Sequence, residues 1–156
     1  MRLTFLASVL TLSFVPGSLR AQNEEAAVLG VIQQLFDGMR ARDTAKMRAT
    51  LHPDIRMVSP SVRDSGVVVH VDSPDGWLAA IAKSTGGIPD ERTRNPVVRI
   101  DGPLASVWME YSFYIGDRFS HCGVDTFHLV HVATGWRIID VADTRRREGC
   151  PDSKPQ

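Results

Sequence analysis

His128 and Asp140 are the residues of this chain whose types and spacing best suit acid–base chemistry. Ala133-Thr134-Gly135 fits a three-residue hairpin loop with Gly at the left-handed position. That loop sets Val132 against Trp136, Val130 against Ile138, His128 against Asp140 and Thr126 against Ala142. In this register the carboxylate orients the imidazole, and the free ring nitrogen faces whatever lies on the same side of the sheet. The same two residues also make an ordinary buried hydrogen-bonded pair. They become a surface pair if the register slips by one residue, since a slip turns every side chain to the other face. Tyr111 offers a hydroxyl donor in mid-sheet, or a packed core residue whose hydroxyl is satisfied.

Other chemistries find less support. His128 and His131 differ by an odd number and point to opposite faces of a strand. His121, Asp125 and His131 share a face but are spread too far along it to close on one ion. Two cysteines without C-x-x-C spacing make a weak zinc signal. No nucleophile-elbow motif and no Gly-rich phosphate loop occurs. The sequence therefore points to no metal and no cofactor.

The strands that must position these groups are legible. Between Ala105 and Ile115 the odd positions are Ala105, Val107, Met109, Tyr111, Phe113 and Ile115, and polar residues alternate with them, the mark of a strand with one buried face. Gly116-Asp117 suits a two-residue hairpin loop with Gly supplying positive φ. That loop sets Ile115 against Arg118, Tyr111 against Cys122 and Met109 against Val124. The expected buried face then continues through Val124, Thr126, His128, Val130 and Val132, which leaves Phe127 and Leu129 on the other side. The three strands are Ala105–Ile115, Phe119–Val132 and Trp136–Asp143.

Upstream, Asn23 can cap a helix from Glu24, along which Val28, Val31, Ile32, Leu35, Phe36 and Met39 form an apolar stripe. Asp43 caps a short helix over Thr44–Leu51, ended by Pro53. Asp54–Val58 is extended, Ser59–Gly66 a polar loop and Val67–Val71 a strand. Ser73-Pro74-Asp75 starts a third helix, with Trp77, Leu78 and Ile81 on its apolar face. Ser84–Arg94 reads as a mobile loop. Val97–Ile100 is a strand, and Asp101-Gly102-Pro103 turns into Ala105.

With 156 residues, 43% of them hydrophobic, the chain can build one domain with one core. The formal net charge is zero, so there is no electrostatic case for nucleic acid or acidic membranes. Arg145-Arg146-Arg147 is the one basic run, more readily a solvated tail after the last strand than a phosphate or nucleic-acid site. Residues 1–21 read as a secretory signal: Arg2, an apolar Leu3–Val15, a Pro16-Gly17 break and small Ala21 at the cut. The apolar run is short for a membrane span, so no integral anchor is expected and the protein would be secreted or periplasmic. The domain would occupy residues 22–150, with a disordered tail at 151–156. In an oxidising compartment Cys122 and Cys150 invite a disulfide, because the register places Cys122 opposite Arg146, near Cys150.

The order is two helices, two strands, a helix and four antiparallel strands, an α+β domain with its helices on one face of a bent sheet. This order resembles the nuclear transport factor 2-like superfamily, and within it the SnoaL-like and putative lumazine-binding proteins. The likeness spans Glu24 to Cys150. Three places carry it: Leu51-His52-Pro53-Asp54; Ala105-Ser106-Val107-Trp108-Met109-Glu110-Tyr111; and His121-Cys122-Gly123-Val124-Asp125-Thr126-Phe127-His128-Leu129. Gly135-Trp136-Arg137-Ile138 and Asp143-Thr144-Arg145-Arg146-Arg147 follow the last of these.

The resemblance implies a cone-shaped domain whose curled sheet and helices enclose a pocket, often in a dimer. Members include dehydratases, isomerases, cyclases and non-catalytic binders, so the fold does not choose among them. Its enzymes set an acid–base group in an apolar pocket, the role His128 with Asp140 would take. Tyr111, Trp77, Met109 and Trp136 would line that pocket around a small apolar or aromatic ligand. The tyrosines that some of these enzymes carry near their helices have no counterpart here, where Tyr111 and Tyr114 are the only two. Trp108, Glu110 and Tyr114, on the outer sheet face, would serve a homodimer. The leading expectation is an exported small-molecule-binding domain without catalysis. The alternatives are a lyase or isomerase using the His–Asp pair, or a dimeric interaction domain.

Overall fold

A computed structural model of the chain describes residues 16–151. Its elements in order are α1 (Pro16–Ala41), α2 (Thr44–Thr50), β1 (Leu51–Arg63), β2 (Gly66–Asp72), α3 (Pro74–Lys83), β3 (Pro89–Asp101), β4 (Leu104–Ile115), β5 (Arg118–Val132) and β6 (Gly135–Asp143). The strands form one sheet in the order β2-β1-β6-β5-β4-β3. Every neighbouring pair is antiparallel except β1 and β6, which run parallel. This is the expected α+β architecture. The apolar stripe of α1 (Val28, Ile32, Leu35, Phe36, Met39) joins Met47 of α2 and Leu78 of α3 over Val107, Met109, Phe127, Leu129 and Ile138 of the sheet.

Local signals place the helix starts well. Asp43 accepts a hydrogen bond from the Lys46 backbone N–H at 2.9 Å, and Ser73 accepts one from Gly76 at 3.2 Å, with Pro74 at the head of α3. The start of α1 differs: the helix begins at Pro16 and runs through Asn23, since a proline suits a first turn and nothing from Ser18 to Gln22 breaks it. Of the expected leader, residues 1–15 lie outside the described residues, as do residues 152–156 of the expected tail. No described helix is long and apolar enough to cross a membrane.

Two segments expected as loops are strand. Met57–Arg63 pairs with Gly66–Asp72 in a long hairpin, so most of Ser59–Gly66 is ladder. Pro89–Arg94 pairs with Glu110–Ile115. Its polar residues do not prevent this, because the outward Arg94 bonds Glu110 at 3.0 Å and Ser112 at 3.0 Å while the backbone completes the ladder. Glu91 is thereby carried to the inner face, opposite Phe113.

The register of β5 is the main correction. Ile115 does face Arg118, but Ser120 bulges out between Phe119 and His121. Beyond that bulge Tyr111 faces Gly123 and Met109 faces Asp125, one residue from the expected partners. The next turn is Ala133-Thr134 alone, Leu129 faces Ile138, and a second bulge at Ile139 restores His128 to Asp140. The inner face of β5 is therefore Gly123, Asp125, Phe127 and Leu129, and it buries Phe127 and Leu129 in place of Thr126 and His128. Cys122 pairs with Arg146 and is disulfide-bonded to Cys150, their Cα atoms 5.8 Å apart.

Candidate functional site

The curled sheet and two helices form a partly open cavity of about 210 Å³. Its upper wall is apolar: Leu35, Phe36 and Met39 from α1, Trp77 and Ile81 from α3. Its floor is polar, because β3, β4, β5 and β6 each turn a functional group inward: Glu91, Tyr111, Asp125 and Asp143, with His121 and Arg145 at the rim.

Asp125 is 3% exposed, and among the described residues its Oδ2 has no hydrogen-bond partner. Its carboxyl hydrogen-bonds that of Glu91. Burial pushes the Glu91 pKa up to about 7, with Asp143 adding to the rise and the Asp125 hydrogen bond and Arg145 opposing it. Burial, and then the Glu91 charge, lift Asp125 well above the usual carboxylate range. The pair thus retains one proton between its two carboxyls, since two carboxylates this close in an apolar site do not both ionise.

Asp143 is the anchor of the floor. It accepts from Arg145 Nε at 2.6 Å and from the Ser59 hydroxyl. The Tyr111 hydroxyl lies 2.8 Å from the Thr144 carbonyl and 3.4 Å from Asp143. Burial, and then the Asp143 charge, raise the Tyr111 pKa, so it stays a neutral donor. Gly123 makes this geometry possible: a Cβ there would sit 1.7 Å from the Thr144 carbonyl oxygen and 2.8 Å from the Tyr111 ring. His121 packs edge-on against Tyr111 with its pKa lowered, chiefly by burial and then by Arg145, so its ring is neutral at pH 7.

Of the expected site residues, Tyr111 and Trp77 line this cavity. His128 and Asp140 do pair, Nδ1 to Oδ1 at 3.3 Å, but on the outer face, where the His128 side chain is 49% exposed. The β5 bulge put them there, so the expected pair in an apolar pocket is corrected to a surface pair. Met109 is packed in the core and does not border the cavity. Trp136 lies further along the inner face, where its indole N–H donates to Glu24 at 3.2 Å beside an open hollow of about 730 Å³. Trp108 and Glu110 are on the outer face as expected, and Arg92 stacks over the Tyr114 ring at 4.0 Å.

Nothing in the sequence marks Glu91 or Asp143 as a site residue, and it offers Asp125 only as a metal ligand that its spacing excludes and Arg145 only as part of the basic run. For Asp125 a signal existed: it shares parity with Phe127 and Leu129, so burying those two large side chains buries Asp125 as well. Glu91 had none, because its segment reads as loop.

The family model described as "Putative lumazine-binding" matches residues 23–142 of the chain. No curated protein matches it in sequence. Similar solved structures include an NTF2-like protein of unknown function from Shewanella baltica, at 16% identity and a TM-score of 0.64 over 80% of this chain and 95% of that one. Another is an NTF2-like protein with a cystatin-like fold from Novosphingobium aromaticivorans, at 12% identity and a TM-score of 0.67 over 88% and 90%. A third is named a putative dehydratase of the NTF2-like family, from Streptomyces avermitilis, at 13% identity and a TM-score of 0.63 over 81% and 98%. At such identities the likeness shows the fold.

Proposed function

This chain belongs to the putative lumazine-binding family of NTF2-like proteins, and on that premise we propose that it is an exported domain that binds one small, largely apolar molecule in the cavity under α1 and α3. The observation that carries this reading is the cavity itself, greasy on its helical wall and furnished on its floor with a few converging polar groups, the usual make-up of a ligand site. The disulfide fits an oxidising compartment and so supports export.

Trp77 lines the cavity while Trp108 and Trp136 do not, which gives a direct reporter. Small aromatic and heteroaromatic compounds are expected to change Trp77 emission. The response should disappear in Trp77→Phe and be blocked by Val141→Phe, which fills the cavity. Compounds that bind the Val141→Phe protein unchanged would place the site elsewhere.

A second reading is favoured by one feature. The Glu91–Asp125 pair shares a proton near neutral pH inside the cavity, as a lyase or isomerase needs for moving a proton on a bound substrate. Turnover of a bound compound that is lost in Glu91→Gln while its binding persists would establish it, and binding without turnover would leave the first reading. The outer face, with Trp108 55% exposed, supports self-association. Sedimentation over a range of concentrations tests this, and a monomer throughout would remove it.

A further inference from the structure

We propose that the cavity takes a small organic cation, a flat apolar body carrying a primary or secondary ammonium group, whose N–H is received by Asp125 and Glu91. The inference rests on the reading of this cavity as a ligand site and adds the chemical class of the ligand.

The first support is an acceptor without a donor. Asp125 is almost wholly buried and borders the cavity, and its Oδ2 has no partner among the described residues. Buried polar atoms in folded proteins are nearly always paired, so an orphan carboxyl oxygen on a cavity wall marks where a donor arrives. The second support is charge. The groups facing the acid pair are Asp143 and Arg145, which neutralise one another at 2.6 Å, Asp90 behind Glu91, the Tyr111 hydroxyl and the neutral His121 ring. The helices α1 and α3 turn only apolar side chains to the cavity. An anionic ligand would add repulsion there, and a neutral one would bring no charge to meet the ionised form of the pair. An ammonium brings both the donor and the charge.

The third support is the wall. Phe36, Trp77, Phe113 and Phe127 line the same cavity as the acids, and ring faces attract a desolvated cation. At about 210 Å³ the space falls below the roughly 300–1,000 Å³ of drug-sized sites, which suits one ring with a short amine arm.

Three probes of one shape test this: benzylamine, benzyl alcohol and benzoate, titrated into the intact protein by calorimetry with Trp77 emission as a second readout. At pH 8 benzylamine is expected to bind at least tenfold tighter than benzyl alcohol, and benzoate most weakly. Glu91→Gln should abolish that preference, since it removes the charge that meets the ammonium, and Asp125→Asn should reduce it by taking away an acceptor oxygen, with circular dichroism showing both variants folded. In the unaltered protein, benzylamine affinity should fall about thirtyfold from pH 8 to pH 5.5 as a proton competes for Glu91. Equal affinity for the amine and the alcohol, or a flat pH profile, would overturn the cation inference and leave the cavity reading standing. No response at Trp77 to any of the three would count against both.

Discussion

His128 and Asp140 lie 3.3 Å apart on the outer face of the sheet, while their chain neighbours Phe127 and Val141 line the cavity on the other side. Adjacent residues of a strand serve opposite faces, so the exposed pair and the cavity are separated by the thickness of the sheet. His128→Ala and Asp140→Asn should therefore leave ligand binding at Trp77 unchanged and cost less than about 1 kcal/mol of stability, as exposed pairs do. Urea denaturation and the fluorescence titration measure the two effects. A tenfold loss of affinity in either variant would return the site to the outer face.

The acid pair gives stability a definite pH dependence. The Glu91 pKa rises from 4.5 in the unfolded chain to about 7 in the folded one, and that of Asp125 rises in the same direction. Below pH 4.5 both states hold the Glu91 proton and folding carries no penalty from it. Between pH 4.5 and 7 the unfolded chain releases the Glu91 proton first, so stability falls with rising pH; the Glu91 contribution levels off above 7, while the raised Asp125 carries the fall to higher pH. The expected loss from Glu91 is about 3 kcal/mol. Glu91→Gln should flatten this limb and stabilise the protein at pH 8, which denaturation at matched ionic strength from pH 4 to 8 would show. A variant that keeps the wild-type slope would mean that Glu91 is not the titrating group.

Gly123 is where two strands and a tyrosine meet without room for a methyl group. Gly123→Ala must displace the Thr144 carbonyl, and with it the acceptor of the Tyr111 hydroxyl. A cost of about 2–4 kcal/mol is expected, since backbone rather than a flexible side chain has to move. Chemical denaturation against Gly30→Ala, whose added Cβ meets nothing within 4 Å, separates this clash from a general glycine effect.

The Cys122–Cys150 bond holds the segment after β6 against β5, together with paired backbone hydrogen bonds of 2.9 Å between Cys122 and Arg146. Closing a loop with a sequence separation of 28 is worth roughly 3–4 kcal/mol by chain entropy. Double substitution to serine should lower the denaturation midpoint accordingly and loosen Arg145 from Asp143, raising hydrogen exchange at Thr144 and Arg146. Two thiols open to alkylation in the untreated protein would contradict the bond.

What could be read from the chain was whatever local chemistry specifies. The caps Asp43 and Ser73, the stripe from Val28 to Met39 and the alternation from Ala105 to Ile115 all follow from neighbours in sequence, whereas the facing of Cys122 and Arg146 is reached only because a bulge at Ile139 offsets a turn one residue shorter than expected. The face on which β5 presents its side chains does not follow from neighbours either, because one extra residue at Ser120 inverts it. Whether that residue is accommodated depends on the apolar area gained when Phe127 and Leu129 meet Phe36 and its neighbours on α1. Glu91 shows the same dependence from the other side, its polar segment becoming strand only because β4 offers a ladder to complete. Asp125, Glu91 and Asp143 converge from three strands, two of which are joined through β4 alone, and such a grouping exists only once the sheet has curled.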